Sequence, residues 1–394
     1  MHRPNVFPLI ILFLLSGCLP TDFWGARSPA ACTREQIEVL ADGWQISWSA
    51  VLEDDYIAEP PFIVGNLVIL IERSSSTSSL ARLRAFQIQT GEELWFSNQI
   101  KVGYGEVQDH DSAYFATYET STTSVIDLHT GELVLEEKLP FMSALFALTL
   151  DNSILYWHDY YGNVQAMRLS DGEVLWENSL LPEGGRGGSL FVTANQRLIA
   201  DSEAGIWILN AETGEMIEHF PPNSTADTRL YADSLLVGEA NYGLMRAVSI
   251  ETGETVWEKQ YTPFIPYDPP TLYDGKLYFI GRKNEDMARF PSYVMAVAIE
   301  DGSLLWRSEA KDGVELLSGV DILEGTAYAI FGDGTLRSID LETGEIDIIL
   351  RSEALSYWKN NEGSYFPIPG LVASDELLFA SFGCSTLYAL RPPP

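Results

Sequence analysis

Cysteine is nearly missing from this chain of 394 residues, with Cys18, Cys32 and Cys384 the three present. A fold stapled by many disulfides is excluded, as is a zinc site built on paired Cys-x-x-Cys ligands. Histidine is almost as scarce: His2, His110, His129, His158 and His219, none of them two or four residues from another His or a cysteine. Zinc-like spacing is therefore absent. Basic residues number 24 against 56 acids, and the net charge of −32 excludes the basic patches that nucleic acid requires. The acids are spread along the chain, which describes a solvated acidic surface and not a disordered acidic tail. The sequence lacks a Gly-x-Ser-x-Gly elbow, a phosphate-cradling glycine loop and a calcium loop with a full ligand set. Gly332-Asp333-Gly334 reads as a turn, and Leu181 to Gly188 as a flexible loop without the strand-to-helix context that phosphate binding needs.

What the chain has instead is turns and aromatics. It holds 31 Gly, 18 Tyr, 18 Phe and 10 Trp with 46% hydrophobic residues, a composition suited to an all-β fold. The stretch Ala85-Phe-Gln-Ile-Gln-Thr-Gly91-Glu-Glu-Leu-Trp95 describes one β-hairpin: an alternating run, a Thr-Gly turn and a second apolar run. It recurs seven times, its turn glycine falling at Gly91, Gly131, Gly172, Gly214, Gly253, Gly302 and Gly344, at intervals of 40, 41, 42, 39, 49 and 42 residues. A hairpin-bearing period near forty fits one four-stranded propeller blade per repeat. Glycine supplies the positive φ of the turn, and the Thr or Asp before it can bond the backbone locally. Four copies place Ala six residues before the glycine and Trp four after it: Ala85/Trp95, Ala166/Trp176, Ala247/Trp257 and Ala296/Trp306. The alanine is expected to leave room for the indole of a neighbouring blade. Leu135, Glu218 and Ile348 stand in the Trp place of the other three copies, so weaker contacts are expected there.

The ends of the chain complete the ring. The last repeat begins near Leu371 and stops after three strands, while Trp44 to Ala50 is a strand with no hairpin partner. Pairing the two predicts an eight-bladed β-propeller of four-stranded antiparallel blades, the last blade closed by an N-terminal strand, spanning residues 36–394 as one domain. Ahead of it, His2 and Arg3 precede an apolar run from Val6 to Leu15, broken by Pro8, that is too short to span a bilayer. Residues 1–17 are expected to be a signal peptide and 18–35 a tether. Leu15-Ser-Gly-Cys18 looks like a bacterial lipobox, which implies a lipid anchor on Cys18; an incidental cysteine after an ordinary signal peptide, or an uncleaved anchor, is the alternative. Closure would bring Cys32 and Cys384 to one blade, where a disulfide is expected unless their Cα atoms lie too far apart.

The Ala, Gly and Trp spacing resembles the tryptophan-docking motif of the PQQ-like (quinoprotein) β-propeller repeat family. Quinoprotein dehydrogenases of that family hold the quinone with a calcium ion, many stacking it on a disulfide between adjacent cysteines. This chain has no adjacent cysteine pair and no room for their long insertions, so neither PQQ nor calcium is expected and no catalytic or metal residue is assigned. Lipobox, tether and eight blades resemble the anchored, non-catalytic lipoproteins of the BamB type, which implies a scaffold that binds a protein partner in the cell envelope, with a PQQ-dependent dehydrogenase or a polysaccharide- or ligand-sensing lipoprotein as alternatives. The resemblance further implies export to the outer face of a bacterial membrane; a monomer is expected. Long connections, Gln260 to Pro269, Gly281 to Pro291 and Ser352 to Pro367 among them, fall on one side of the disc, where binding groups collect on a rigid scaffold. Tyr261, Phe264 and Tyr267 enrich these stretches, and Arg282, Lys283, Arg289, Phe290 and Trp358 are the partner-binding candidates, because aromatics and arginine dominate binding surfaces. A weak surface pairing of the basic group with neighbouring acids is the competing explanation.

Overall fold

The computed structural model describes residues 37–393 apart from connecting stretches, the longest of them 75–79, 109–113, 139–144, 180–186, 221–228, 284–291, 310–317 and 353–368. The described residues form eight antiparallel sheets in a ring, an eight-bladed β-propeller. Each of the first seven blades comes from one repeat. The eighth is made from both ends of the chain: residues 370–391 supply three strands and Gln45–Val51 the fourth, which pairs with Thr386–Arg391. The orphan strand and its partner are thus where the sequence places them.

Alternation along the strands explains where the core sits. Side chains of the middle strands point to both faces of a blade, and both faces are covered by neighbours, so the middle strands are buried throughout, as in Ile154–Asp159 and Thr326–Phe331. The result is eight hydrophobic clusters, each joining two adjacent blades, the last of them packing Leu377, Phe379 and Leu387 of blade eight against Val68 and Leu70 of blade one. Outermost strands, such as Thr255–Gln260, face solvent.

The Thr-Gly turns share one construction. Gly91 donates its N–H to the Gln87 carbonyl at 2.9 Å and Gln87 donates to Glu92 at 2.8 Å, and the other six turns repeat both bonds. With the glycines at φ between +66° and +74°, each turn carries a bulge glycine that only a residue without Cβ adopts cheaply. The residue before the glycine accepts from the N–H after it: Thr90 from Glu92, Asp171 from Glu173, Asp301 from Ser303.

Glycine has a second role that the spacing did not reveal. A Cβ on Gly214 would lie 2.4 Å from the Trp176 ring of the preceding blade, and Gly91, Gly131, Gly302 and Gly344 face Trp48, Trp95, Trp257 and Trp306 in the same way. The alanine does something else: Ala166 pairs directly with Trp176, and Ala85, Ala247 and Ala296 with Trp95, Trp257 and Trp306, all within one blade. The neighbouring blade makes room through its glycine, and the alanine keeps space beside the indole in the indole's own sheet. At Glu218 the contact is kept by another residue, since Phe220 fills the space against Gly253.

One strand was not foreseen. Ile37–Leu40 adds to the outer edge of Ile346–Ser352, giving blade seven a fifth strand before the chain crosses to close blade eight.

Two glycines with similar backbone angles separate the roles. Gly275→Ala, at φ +70° with nothing within 4 Å of the added methyl, is expected to cost about 1–2 kcal/mol of backbone strain. Gly214→Ala adds overpacking against Trp176 and is expected to cost about 2–5 kcal/mol in urea unfolding.

Candidate binding face

Because four strands alternate in direction, the Thr-Gly turns and the turns between the first two strands share one face of the disc, and all other connections share the opposite face. Blades one and six rise above that second face. In each, the second strand runs for eight residues, Leu67–Ser74 and Lys276–Lys283, and pairs with two short inner strands instead of one. Phe264–Pro266 pairs with Gly281, Arg282 and Lys283, while Thr271–Tyr273 pairs with the start of the same strand. This corrects two boundaries: 264–266 and 281–283 are strand, although composition marks both as connection.

The basic candidates divide accordingly. The backbones of Arg282 and Lys283 sit in that strand, opposite Ile265 and Phe264. Arg289, Phe290 and Trp358 lie outside the described residues, as do Tyr267, Cys18, Cys32 and Cys384. Tyr261 is removed from the surface set: it is buried, and its hydroxyl donates to the Gly302 carbonyl of the next blade. Burial, with the Asp301 charge adding to it, pushes that phenol far above its ordinary value, so it stays neutral.

Two turns on this face hold polar groups. At Asp159, the carboxylate accepts from the Asn163 N–H at 2.9 Å and the Asn163 amide at 2.8 Å, closing the turn around Gly162. The Gly332-Asp333-Gly334 turn is more than the sequence suggests. Arg337, buried two strand positions beyond the turn, donates to Asp333 Oδ2 at 2.7 Å and to Thr335 Oγ1 at 2.8 Å, and its guanidinium lies 4.3 Å from the centre of the Phe331 ring. The Thr335 hydroxyl donates to Asp333 Oδ1 at 2.6 Å. Burial alone would raise the Asp333 carboxyl; the bonds from Thr335 and the charge and bond of Arg337 outweigh it and hold it below 3.8. An Asp followed four residues later by Arg in a tight turn is the signal that could have found this pair. Among the described residues no three His, Cys, Asp or Glu side chains converge as a metal ion needs.

A family model described as outer membrane protein assembly factor BamB matches residues 218–349, the span from the outer strand of blade four to that of blade seven. The outer membrane protein assembly factor BamB of Legionella pneumophila (strain Paris) is 22% identical over 228 residues. That match takes in 57% of this chain and 48% of the relative, so the chain spans about half the length of the curated relative it matches. Among solved structures, BamB from Moraxella catarrhalis superposes with a TM-score of 0.58 at 14% identity, over 88% of this chain and 97% of that one. The chain is a PQQ-like propeller resembling BamB.

Quinohemoprotein alcohol dehydrogenase from Comamonas testosteroni superposes as well, with a TM-score of 0.58 at 13% identity over 89% of this chain and 76% of that one. A fold shared equally by an assembly factor and an oxidoreductase does not choose between them. Asp333 and Arg337 lie inside the span that the BamB model matches. Arg337→Met leaves the Asp333 carboxylate without its cation and is expected to cost about 3 kcal/mol at pH 7. Because the folded pKa is depressed, the stability carried by this carboxylate is present above pH 3.8 and is lost as pH falls through the folded value. The destabilisation by Arg337→Met should therefore shrink toward pH 3, as thermal melts across that range would record.

Proposed function

We propose that this propeller is a non-catalytic scaffold that binds a protein partner in the cell envelope, anchored by lipid on Cys18 and standing off the membrane on residues 18–35. The observation that carries the reading is the resemblance to BamB in the family match over blades five to seven and in the Legionella relative. The raised end of blade six, where Arg282 and Lys283 enter, supports placing the partner on the face opposite the Thr-Gly turns. A rigid disc with elaborated connections on one side is the arrangement on which binding groups are usually carried. Partner docking there uses Arg282, Lys283 and Arg289 as the cationic group on an acidic protein and Phe290 and Trp358 as apolar anchors.

A pulldown from detergent-solubilised envelopes tests the reading. The native chain should recover a protein partner, and the triple change Arg282, Lys283 and Arg289→Ala should reduce recovery about tenfold with an unchanged melting temperature. Equal recovery by the triple variant would remove this face. Intact-mass spectrometry of the membrane fraction should show a mature chain beginning at acylated Cys18, and a non-reducing peptide map should join Cys32 to Cys384. Any other N-terminus, or two free thiols, would remove the anchor or the bridge.

The Comamonas likeness supports a second reading, a quinone-dependent dehydrogenase. Purified protein mixed with quinone and calcium should then acquire a quinone absorbance band that survives gel filtration; the scaffold reading expects none.

A further inference from the structure

Asp-Gly pairs carry an intrinsic chemistry that a fold permits or blocks. The backbone nitrogen after an aspartate can attack the aspartate's own Cγ, and a glycine there has no Cβ to hinder the approach. This chain has six such pairs, at Asp42, Asp171, Asp274, Asp301, Asp312 and Asp333. Asp312 lies outside the described residues. Attack needs a nitrogen free to turn and a carboxyl group free to meet it, so hydrogen bonds to either one hold the pair away from reaction.

Three of the pairs are held at both ends. The Gly172, Gly302 and Gly334 N–H groups donate to the carbonyls of Arg168, Ala298 and Phe331 at 2.9, 2.9 and 3.0 Å. Their carboxylates are engaged as well: Asp171 by Arg168 at 2.8 Å, Asp301 by the Ser303 N–H at 2.8 Å, and Asp333 by Thr335 and Arg337 at 2.6 and 2.7 Å. Asp42 is held differently. No described residue accepts from the Gly43 N–H, but a Cβ on Gly43 would lie 2.8 Å from Pro393, so the turn has little room to rotate.

Asp274 and Gly275 meet neither restraint. They form the exposed two-residue loop between Tyr273 and Lys276, at φ +47° and +70°. The first of these angles is strained for an L residue. Among the described residues none accepts from the Gly275 N–H and none donates a hydrogen bond to the Asp274 carboxylate. Nothing beyond its chain neighbours stands within 4 Å of a Cβ placed on Gly275. Lys276 feels the charge of Asp274 but gives its ammonium to Glu342 of blade seven at 2.5 Å.

We propose that Asp274 is a modification site, the Asp-Gly pair at which the native fold admits isomerisation to isoaspartate. The Gly275 nitrogen bonds to Asp274 Cγ, and its proton leaves with the carboxyl hydroxyl as water, closing a cyclic imide. Water then adds to either imide carbonyl. Addition at the Asp274 backbone carbonyl breaks the bond to the Gly275 nitrogen, so the chain runs on through Cβ and Cγ and a free α-carboxylate remains. The loop between Tyr273 and Lys276 thereby gains a methylene. Two seams meet there. The Gly275 carbonyl accepts the N–H of Ile299, whose own carbonyl holds the Trp257 indole of blade five, and Lys276 reaches blade seven. The modification therefore loosens both sides of blade six.

Ageing the full chain in heavy-oxygen water at neutral pH tests this, because hydrolysis of the imide leaves one heavy oxygen on the residue. In a peptide map, Asp274 should gain label at least about tenfold faster than Asp42, Asp171, Asp301 and Asp333, and part of it should elute as a second peak of equal mass. In urea all five should label at similar rates. Native labelling of Asp274 no faster than that of the held pairs, or faster labelling at Asp42, would overturn the assignment. Asp274→Glu, whose longer side chain closes an imide far more slowly, should remove the label at that position. It should also keep its melting temperature on ageing, while the aged native chain melts lower. A Glu variant that loses as much melting temperature as the native chain would overturn the link to the seams.

Discussion

The ring depends on one contact, an indole laid on a turn glycine of the next blade. Its chemistry is spelled out by the residue three positions before that glycine. Ile299 donates its N–H to the Gly275 carbonyl, tying the Thr-Gly turn to the first turn of its own blade, while its carbonyl accepts the Trp257 Nε1 proton of the blade before at 2.7 Å. Ile88 and Ala211 do the same for Trp48 and Trp176. The backbone of one residue thus serves a turn within the blade and a bond between blades. Each such bond contributes on the order of 1 kcal/mol, and the buried ring adds more through apolar area. The spacing of alanine, glycine and tryptophan follows from this geometry: alanine opposite the indole in its own sheet, glycine beneath the indole of its neighbour.

Where the tryptophan is missing, the ring fills the gap by other means. Leu135 is buried against Met167 and Leu169 of blade three, and Phe220 takes over from Glu218 at blade five. Between blades seven and eight Ile348 stays exposed, and Trp44 from the N-terminal segment packs instead against Tyr328 at 5.6 Å. Trp95 stacks on Gly131 like the others, yet its buried Nε1 has no acceptor among the described residues. We have no physical account of that exception.

The repeat was legible because a turn glycine, a capping Thr or Asp and a large ring each answer a local steric demand, and such demands leave a mark at fixed spacing. Closure was legible for a related reason: a blade lacking one strand and a strand lacking a blade must meet. The split inner strands of blades one and six left no such mark. Pairing of Phe264–Pro266 with Gly281 to Lys283 depends on chain brought back from a distance, and proline with aromatics reads locally as a loop. Tyr261 looked like a binding aromatic because composition cannot tell a ring beneath the next blade from one facing a partner. The strand Ile37–Leu40 was missed because its four residues have no repeat to belong to. Of the candidate site, the sequence put Arg282 and Lys283 in a connection, whereas their backbones belong to the strand that Phe264–Pro266 pairs.

Blade eight has no Thr-Gly turn because the ends of the chain occupy that position: Gly43, at φ +87°, lies directly against Pro393. The blades follow one another around the disc in chain order, and the contacts between them do not depend on which blade comes first. A short linker from Pro393 to Gly43 would supply the missing turn, and the chain could then be opened at another Thr-Gly turn with the pairings of all eight four-stranded blades kept and that of Ile37–Leu40 given up. A circular architecture has no first blade; translation alone assigns one.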